Sequence, residues 1–252
     1  MIIRKSAEEL EKMRRAGRIV AGAITAVLAQ VAPGKTTEDL DRVAATYIRE
    51  QGATPSFLGY RGFTKTICAS INDEIVHGIP SSRRTLSEGD LISLDFGAIW
   101  EGFHADSAVT VFAGGQAPDA DSERLVRATE RALADAIEQI KPGGRLSDIS
   151  QAVELAATAE DLGIVREYGG HGIGRALHED PFIPNFGRPG RGPDLRPGLV
   201  IAVEPMLNLG GDDTRTLDDG WTVVTADGSR SAHFEHTIAV TEDGHEVLTS
   251  RD

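Results

Sequence analysis

The sequence is poor in cysteine, in aromatic side chains and in basic side chains. Cys68 is the one cysteine among 252 residues, so no intrachain disulfide can form. A reducing, cytoplasmic location is therefore expected. Acidic side chains outnumber basic ones by 39 to 26, which gives a net charge of −13. Because a nucleic-acid-binding protein needs a basic face, the composition predicts no direct nucleic-acid binding.

Long hydrophobic runs are also missing. Apolar residues make up 40% of the chain, but their longest runs are well short of the roughly 20 residues that span a bilayer. The first residues lead into charged, helix-like sequence without an apolar signal-peptide core. We therefore expect neither a membrane segment nor a secretory signal.

A repeated pattern organises the chain. Helices are predicted over residues 6–31, 37–51, 121–141 and 147–161 from capping residues, apolar spacing and terminal glycines. A constant offset of 109 relates the two helix pairs, because it takes Pro33-Gly34 to Pro142-Gly143. The same offset takes the apolar strand ending at Asp95 to the one ending at Glu204. We predict an α+β chain, residues 1–252 forming a single domain of two pseudo-symmetric ααβ halves, about 6–115 and 116–250.

Acidic residues follow the predicted strands in both halves. Asp95 and Asp106 flank a turn within residues 99–102. A turn centred on Trp100 and Glu101 would make them face each other, whereas a shift of one residue would make them diagonal neighbours on one face. Glu204 and Glu235 repeat the arrangement across a longer loop. Carboxylates held this close have raised pKa values or hold a cation.

Three of the seven histidines are candidates for a functional role. His171 is surrounded by four glycines in residues 168–174, which lets the backbone approach a bound group closely. His77 precedes Gly78, and His178 precedes a glutamate. The other four are expected to be structural or surface groups: His104, His233, His236 and His245.

In order and in spacing, these segments resemble the type I methionine aminopeptidases, a family of the pita-bread metallopeptidase superfamily. The resemblance extends over about residues 3–250 and implies the pita-bread fold, with a central curved antiparallel sheet covered by helices. Its most specific segments are VHGIP (76–80), LDFG (94–97), GFHADS (102–107), GHGIG (170–174), VEPM (203–206) and FEHT (234–237).

The resemblance implies five ligands to two divalent metal ions: Asp95, Asp106, His171, Glu204 and Glu235. In this family pattern Asp106 and Glu235 bridge the ions, Asp95 completes one of them, and His171 and Glu204 complete the other. Four carboxylates balance the charge of two divalent cations. Oxygen ligands with one imidazole favour Mn, Fe(II) or Co over a thiolate-seeking ion.

The resemblance also implies an activity, the removal of the N-terminal (initiator) methionine from nascent proteins and peptides when the second residue is small. Glu204 would move the proton from water to the leaving amine, His178 would stabilise the oxyanion, and His77 would contact the scissile amide. The methionine side chain would enter a pocket lined by Tyr60, Phe63, Cys68, Leu177 and Trp221.

Three positions depart from the family pattern. The family commonly has Phe where Leu177 stands, Pro where Thr64 stands and Gln where His233 stands. Leu177 predicts a roomier pocket, so strict preference for methionine is the property most affected.

Two alternatives remain open beside this reading. A prolidase or aminopeptidase P shares the ligands but usually carries an added N-terminal domain, whereas this repeat starts at residue 6. A non-catalytic binding relative has generally lost metal ligands that this chain keeps. The expected partners are N-termini of peptides and nascent chains, with transient ribosome contact, and a monomer is expected.

Overall fold

A computed structural model describes residues 2–251. It has four α-helices: α1 (Ala7–Leu28), α2 (Thr37–Glu50), α3 (Ala120–Ile137) and α4 (Leu146–Ala159). The strands of the first half are β1 (Thr54–Pro55), β2 (Ile67–Ile71), β3 (Glu74–Val76), β4 (Leu91–Trp100) and β5 (Phe103–Phe112). Those of the second half are β6 (Gly163–Ile164), β7 (Gly169–Gly172), β8 (Glu179–Pro184), β9 (Val200–Val203), β10 (Met206–Asn208), β11 (Thr214–Thr216), β12 (Val223–Thr225), β13 (Ser231–His233), β14 (His236–Val240) and β15 (His245–Val247).

The helices begin where the capping residues predict. Ser6 and Glu9 form a capping box at the start of α1, with the Ser6 hydroxyl accepting from the Glu9 backbone N–H. The predicted helix over 6–31 ends earlier, at Leu28, because Gln30 N–H already turns back to Val27 O at 2.8 Å. The apolar face of α1 is buried against β4 and β5, as expected for an amphipathic helix.

The predicted repeat is visible in the backbone pairing. An isolated bridge joins Thr36 to Thr85, and a second joins Arg145 to Asp194, which is the same pair advanced by 109 positions. Hydrogen bonds repeat at the same offset: Gly34 N–H to Leu86 O at 2.8 Å, and Gly143 N–H to Leu195 O at 2.9 Å. The two helix–strand halves are therefore related in structure as well as in sequence.

The β4–β5 hairpin decides between the two predicted turns. Trp100 pairs with Phe103, so Glu101 and Gly102 form the turn, with positive φ values of 46° and 79°. Positive φ at both central residues is typical of a type I′ turn, whose twist matches the strands. Asp95 consequently faces Ala108, and Asp106 faces Gly97. The diagonal arrangement is therefore confirmed, and the directly opposed one is wrong.

All strand pairs are antiparallel, and they are arranged in four hydrogen-bonded sheets among residues 2–251. β4 is central to the first half, between β2 and β5, and β9 is central to the second, between β14 and β7. β5 and β14 then join the halves through a threonine, since Thr237 Oγ1 accepts from Asp106 N–H at 2.9 Å and donates to Asp106 O at 2.8 Å. This junction brings the acidic residues of both halves together.

The acidic strand pair of the second half is built differently from that of the first. The strand predicted over 232–240 is interrupted, because Phe234 and Glu235 lie between β13 and β14. Val203 pairs with His236 and Met206 with His233, so this register puts Glu204 opposite Glu235 instead of diagonal to it.

In the described part of the chain, no helix combines the length and the apolar character that crossing a membrane requires.

Candidate metal centre and active site

The five acidic and histidine side chains predicted as ligands come from five different places in the fold. Asp95 lies in β4 and Asp106 in β5. His171 lies in β7, Glu204 directly follows β9, and Glu235 lies in the break between β13 and β14. Because β4 and β5 belong to the first half and the rest to the second, the cluster forms at the junction of the halves.

The ligand atoms of these side chains lie close enough together to bind the same metal ions. Ligand atoms of Asp106, His171 and Glu235 all lie within 4.8 Å of one another. Glu204 Oε1 lies 3.5 Å from His171 Nε2, and the carboxyl groups of Asp95 and Asp106 are close enough to share a proton. Two ligands bound at about 2.1 Å to one ion lie roughly 3–4 Å apart, so the spacing suits coordination.

Burial of the carboxyl groups raises their pKa values. Desolvation raises the pKa of Asp95 to about 7, and desolvation followed by the nearby Glu235 and Asp95 charges raises that of Asp106 well above its usual range. The pKa values of Glu204 and Glu235 are raised for the same reasons, with desolvation first and neighbouring carboxylates second. Four acids in one buried cluster therefore retain protons unless cations replace them.

Three buried carboxylate oxygens have no hydrogen-bond partner among residues 2–251: Asp95 Oδ1, Asp106 Oδ1 and Glu235 Oε1. An unsatisfied buried oxygen is costly in an otherwise well-paired core. Desolvation lowers the pKa of the neighbouring His171 to about 3, so its imidazole is neutral at physiological pH and has a lone pair to offer. His171 Nδ1 lies 2.9 Å from Gly172 O, which fits an N–H donated from Nδ1 and leaves Nε2 free to bind a metal. The donor set thus fits divalent metal ions.

One cavity of about 440 Å³ contains all the predicted site residues. The five candidate ligands form part of its lining, together with the remaining predicted residues: Tyr60, Phe63, Cys68, His77, Leu177, His178 and Trp221. The sequence therefore predicted a set of side chains that the fold gathers around a single space.

Aromatic and aliphatic side chains form one wall of this cavity. Phe63 and Trp221 make an edge-to-face contact with ring centroids 5.0 Å apart. Phe63, Cys68 and Leu177 are buried and belong to the same apolar cluster. Desolvation raises the pKa of the Cys68 thiol well above its usual range, so this cysteine is a neutral apolar lining group.

His77 and His178 both line the cavity that contains the acidic cluster. His178 Nδ1 is 2.8 Å from Tyr60 Oη, and its ring lies 4.2 Å from the His171 ring between centroids. His77 has the unusual φ of 62° and contacts Tyr168 and Trp221 edge-on. A non-glycine residue at positive φ is strained and often marks a functional position.

The structure adds residues that the sequence reasoning did not single out. Phe57, Arg61, Tyr168 and Phe182 also line the cavity, and Phe182 is 53% exposed at its rim. His233, expected to be only structural or on the surface, is buried with Nε2 3.7 Å from Glu204 Oε2. Its departure from the family's Gln was the one sequence signal that could have marked it.

Comparison with known proteins gives a consistent result. A family model described as metallopeptidase family M24 matches residues 11–242. Methionine aminopeptidase 1 of Mycobacterium tuberculosis (strain CDC 1551 / Oshkosh) is 52% identical over 99% of this chain and 95% of its own length. Methionine aminopeptidase 1 of Bacillus subtilis (strain 168) is 50% identical over 99% of both chains.

Solved structures agree with these sequence matches. The crystal structure of a methionine aminopeptidase from Thermotoga maritima matches with a TM-score of 0.97 at 44% identity, over 99% of this chain and 100% of that one. A prolidase from Pyrococcus horikoshii OT3 matches with a TM-score of 0.77 at 22% identity, over 100% of this chain and 65% of its own, which shows a shared fold alone. The architecture is thus the pita-bread fold of metal-dependent peptidases, as predicted. The chain belongs to metallopeptidase family M24 and, within it, to the methionine aminopeptidases.

Proposed function

We propose that this protein removes the N-terminal methionine from peptides and nascent proteins by hydrolysis at a centre of two divalent metal ions. The observation that carries the proposal is the convergence of four buried carboxyl groups and a neutral histidine beside an apolar cavity wall. The family membership and the names of its close relatives support the same activity. We also retain the expectation from the family that the residue after the methionine is small.

We assign the metal ions to five ligands: Asp95, Asp106, His171, Glu204 and Glu235. The three buried oxygens without partners among the described residues support this assignment, because bound cations would satisfy them. Two divalent ions would balance four carboxylates, and an oxygen-rich set with one imidazole suits Mn, Fe(II) or Co. When bound, such ions polarise the scissile carbonyl and make a water molecule acidic enough to attack near neutral pH.

The protein's own groups are assigned the proton transfers. Glu204 would accept the proton of the attacking water and deliver it to the leaving amine, because its carboxyl lines the cavity and lies 3.5 Å from His171 Nε2. Tyr60 would donate its hydroxyl hydrogen to His178 Nδ1 across 2.8 Å, which puts the His178 N–H on Nε2. That N–H would donate to the carbonyl oxygen as negative charge develops on it. His77, which also lines the cavity, would contact the scissile amide.

We assign the methionine side chain to the apolar wall formed by Tyr60, Phe63, Cys68, Leu177 and Trp221. A thioether is polarizable and makes favourable contacts with aromatic rings such as the Phe63–Trp221 pair. Leu177, smaller than the family's usual Phe, would leave room for side chains somewhat larger than methionine. The pocket therefore predicts a methionine preference that is less strict than in relatives with Phe at this position.

The composition bears on where this enzyme acts. The single cysteine and the expected substrate, a nascent chain, suit a cytoplasmic enzyme that contacts the ribosome transiently. We retain the monomer expected from the sequence as part of this proposal.

The test is metal-dependent release of amino acids from three peptides. The purified protein is stripped with a chelator, restored with Mn, Fe(II) or Co, and assayed on Met-Ala-Ser, Leu-Ala-Ser and Ala-Pro-Ala. Asp106→Asn serves as the inactive variant, and Asp121→Asn, which changes a carboxylate 74% exposed on α3, serves as its control. We expect metal-dependent cleavage of Met-Ala-Ser by the wild type and by Asp121→Asn.

Two other outcomes would redirect the proposal. Cleavage of Ala-Pro-Ala alone would move the protein towards the aminopeptidase P and prolidase activity, the alternative considered from the sequence. Absence of turnover with every metal, in protein shown to be folded and metal-bound, would instead favour a binding role.

A further inference from the structure

A buried ion pair lies beneath the loop that carries His178. Lys5 Nζ lies 2.7 Å from Glu179 Oε2, and the two side chains are only 3% and 9% exposed. Lys5 precedes α1 and is fixed by its backbone N–H, which donates to Gly198 O at 2.6 Å. Nothing in the assigned reaction uses either residue, although Glu179 is adjacent to His178 in the chain.

The second carboxylate oxygen of Glu179 closes the loop on itself. Glu179 Oε1 accepts from the Ala176 backbone N–H at 3.2 Å, so a single side chain spans the turn. The two residues enclosed by this turn are Leu177, which lines the cavity, and His178. One carboxylate oxygen of Glu179 thus closes the turn through the Ala176 N–H, and the other binds the turn to Lys5.

The space around the pair is narrow. A Cβ atom at Gly174 would lie 2.5 Å from Lys5 Cε and 2.7 Å from Glu179 Oε1, so a larger residue there would displace the ion pair. The charge of Glu179 also acts on the nearby His104 imidazole, and the His104 backbone N–H donates to Gly174 O at 2.8 Å. The ion pair therefore occupies a packed position and is not a mobile surface contact.

We propose that Lys5 is a positioning residue for His178: through Glu179 it holds the 176–179 turn so that the His178 ring stays between Tyr60 and His171. The catalytic consequence of this position rests on the function proposed above, in which His178 stabilises the developing oxyanion. The structural part of the proposal concerns only the orientation of the ring and can be measured without turnover.

Removing one partner of a buried ion pair leaves the other charge without compensation. In Lys5→Met, Glu179 would keep a buried negative charge, and the least costly response is to swing that carboxylate towards water. The Ala176 hydrogen bond would then be lost, and the turn would move with His178. A displacement of about 1 Å can lower a rate about a hundredfold, so we expect kcat to fall about tenfold to a hundredfold.

The experiment compares Lys5→Met with two other variants in the full-length, metal-loaded protein. In Lys5→Met/Glu179→Gln, the charge is absent on both sides and the amide oxygen can still accept from Ala176, so most of the lost kcat should return. Arg4→Met changes the exposed neighbour, which donates to Pro197 O, and should match the wild type. Metal affinity is measured in parallel and should stay within about twofold in all three variants.

A second readout is independent of activity. The readout is the NMR spectrum of protein with isotope-labelled histidine. The His178 ring signal is identified by its loss in His178→Ala. It should shift in Lys5→Met but not in Arg4→Met. A Lys5→Met protein with wild-type kcat and an unmoved His178 signal would overturn the proposal. If Lys5→Met does not fold, Glu179→Ala takes its place, because it removes both the partner of Lys5 and the acceptor of the Ala176 N–H, and the same two results apply. A wild-type protein without turnover whose His178 signal still depends on Lys5 would contradict the proposed reaction and retain the positioning role.

Discussion

Without metal, the free energy of unfolding should fall as the pH rises from about 6.5 to 8.5. The carboxyl groups of the cluster have higher pKa values in the folded chain than their ordinary values of 3.8 and 4.5. The folded state therefore binds more protons than the unfolded state, and stability is lost as these protons leave. Asp95, with a pKa of about 7, loses the last of its contribution as the pH rises through about 7, and the raised pKa values of the other three groups act in the same direction.

The buried histidines set the lower limit of this pH window. Desolvation lowers the pKa of His171 and His233 to about 3 and that of His77 and His104 to about 4, from an ordinary 6.5. Their contribution has the opposite sign, because it is present above pH 6.5 and is lost as the pH falls. Above pH 6.5 these histidines are neutral in both the folded and the unfolded state. The carboxyl groups therefore determine how the free energy of unfolding changes with pH.

Each proton that the fold retains changes stability by about 1.4 kcal/mol per pH unit. Asp95 titrates inside this window, so its own share of the loss is about 1 kcal/mol, which is measurable against the roughly 5–15 kcal/mol that stabilises a typical domain. The assay is urea unfolding of chelator-treated protein at several pH values, followed by circular dichroism. Saturating Mn is the control, because cations replace the protons and the downward slope should disappear. A metal-free protein whose stability is constant or rises across this window would refute the reasoning.

Four further variants test individual parts of the site. Glu204→Gln should lower kcat about 10²–10⁴-fold, as expected for loss of a general base, in steady-state assays on Met-Ala-Ser. His178→Ala should lower kcat about 10²–10³-fold with unchanged metal content, and a near-native kcat would remove its assigned role. Leu177→Phe should narrow the pocket and lower kcat/KM for Leu-Ala-Ser about tenfold relative to Met-Ala-Ser, and an unchanged ratio would count against the pocket. Gly97→Ala should destabilise the protein by about 1–3 kcal/mol in thermal unfolding, because its Cβ would lie 2.6 Å from Ser56 Cβ, and an unchanged Tm would contradict that packing.

The sequence predicted the repeat and the helix starts because both depend on local signals. Capping residues such as Ser6 and Thr36 determine where a helix begins, and the offset of 109 needs no knowledge of tertiary contacts. The helix ends were less accurate, since the turn at Gln30 is a backbone arrangement that side-chain patterns do not specify. The turn at Glu101 and Gly102 likewise required the register of two whole strands.

The candidate site was predicted in its residues and not in its geometry. Glycine context and acidic strand ends marked the ligands, and the family resemblance assigned their roles. Contacts between distant parts of the chain left no local pattern, as with Lys5 and Glu179, which are 174 positions apart. The proximity of His233 to Glu204 was not predicted for the same reason, because it follows from the pairing of β10 with β13.

The most direct test of the proposed function is a metal titration with two measurements on the same samples. Chelator-stripped protein receives increasing Mn, and bound ions are counted by mass spectrometry while methionine release from Met-Ala-Ser is measured. We predict no release before metal is added, release that rises with bound metal, and saturation at two ions per chain. Release at an equal rate in the stripped protein, or its absence once two ions are bound, would contradict the proposed function.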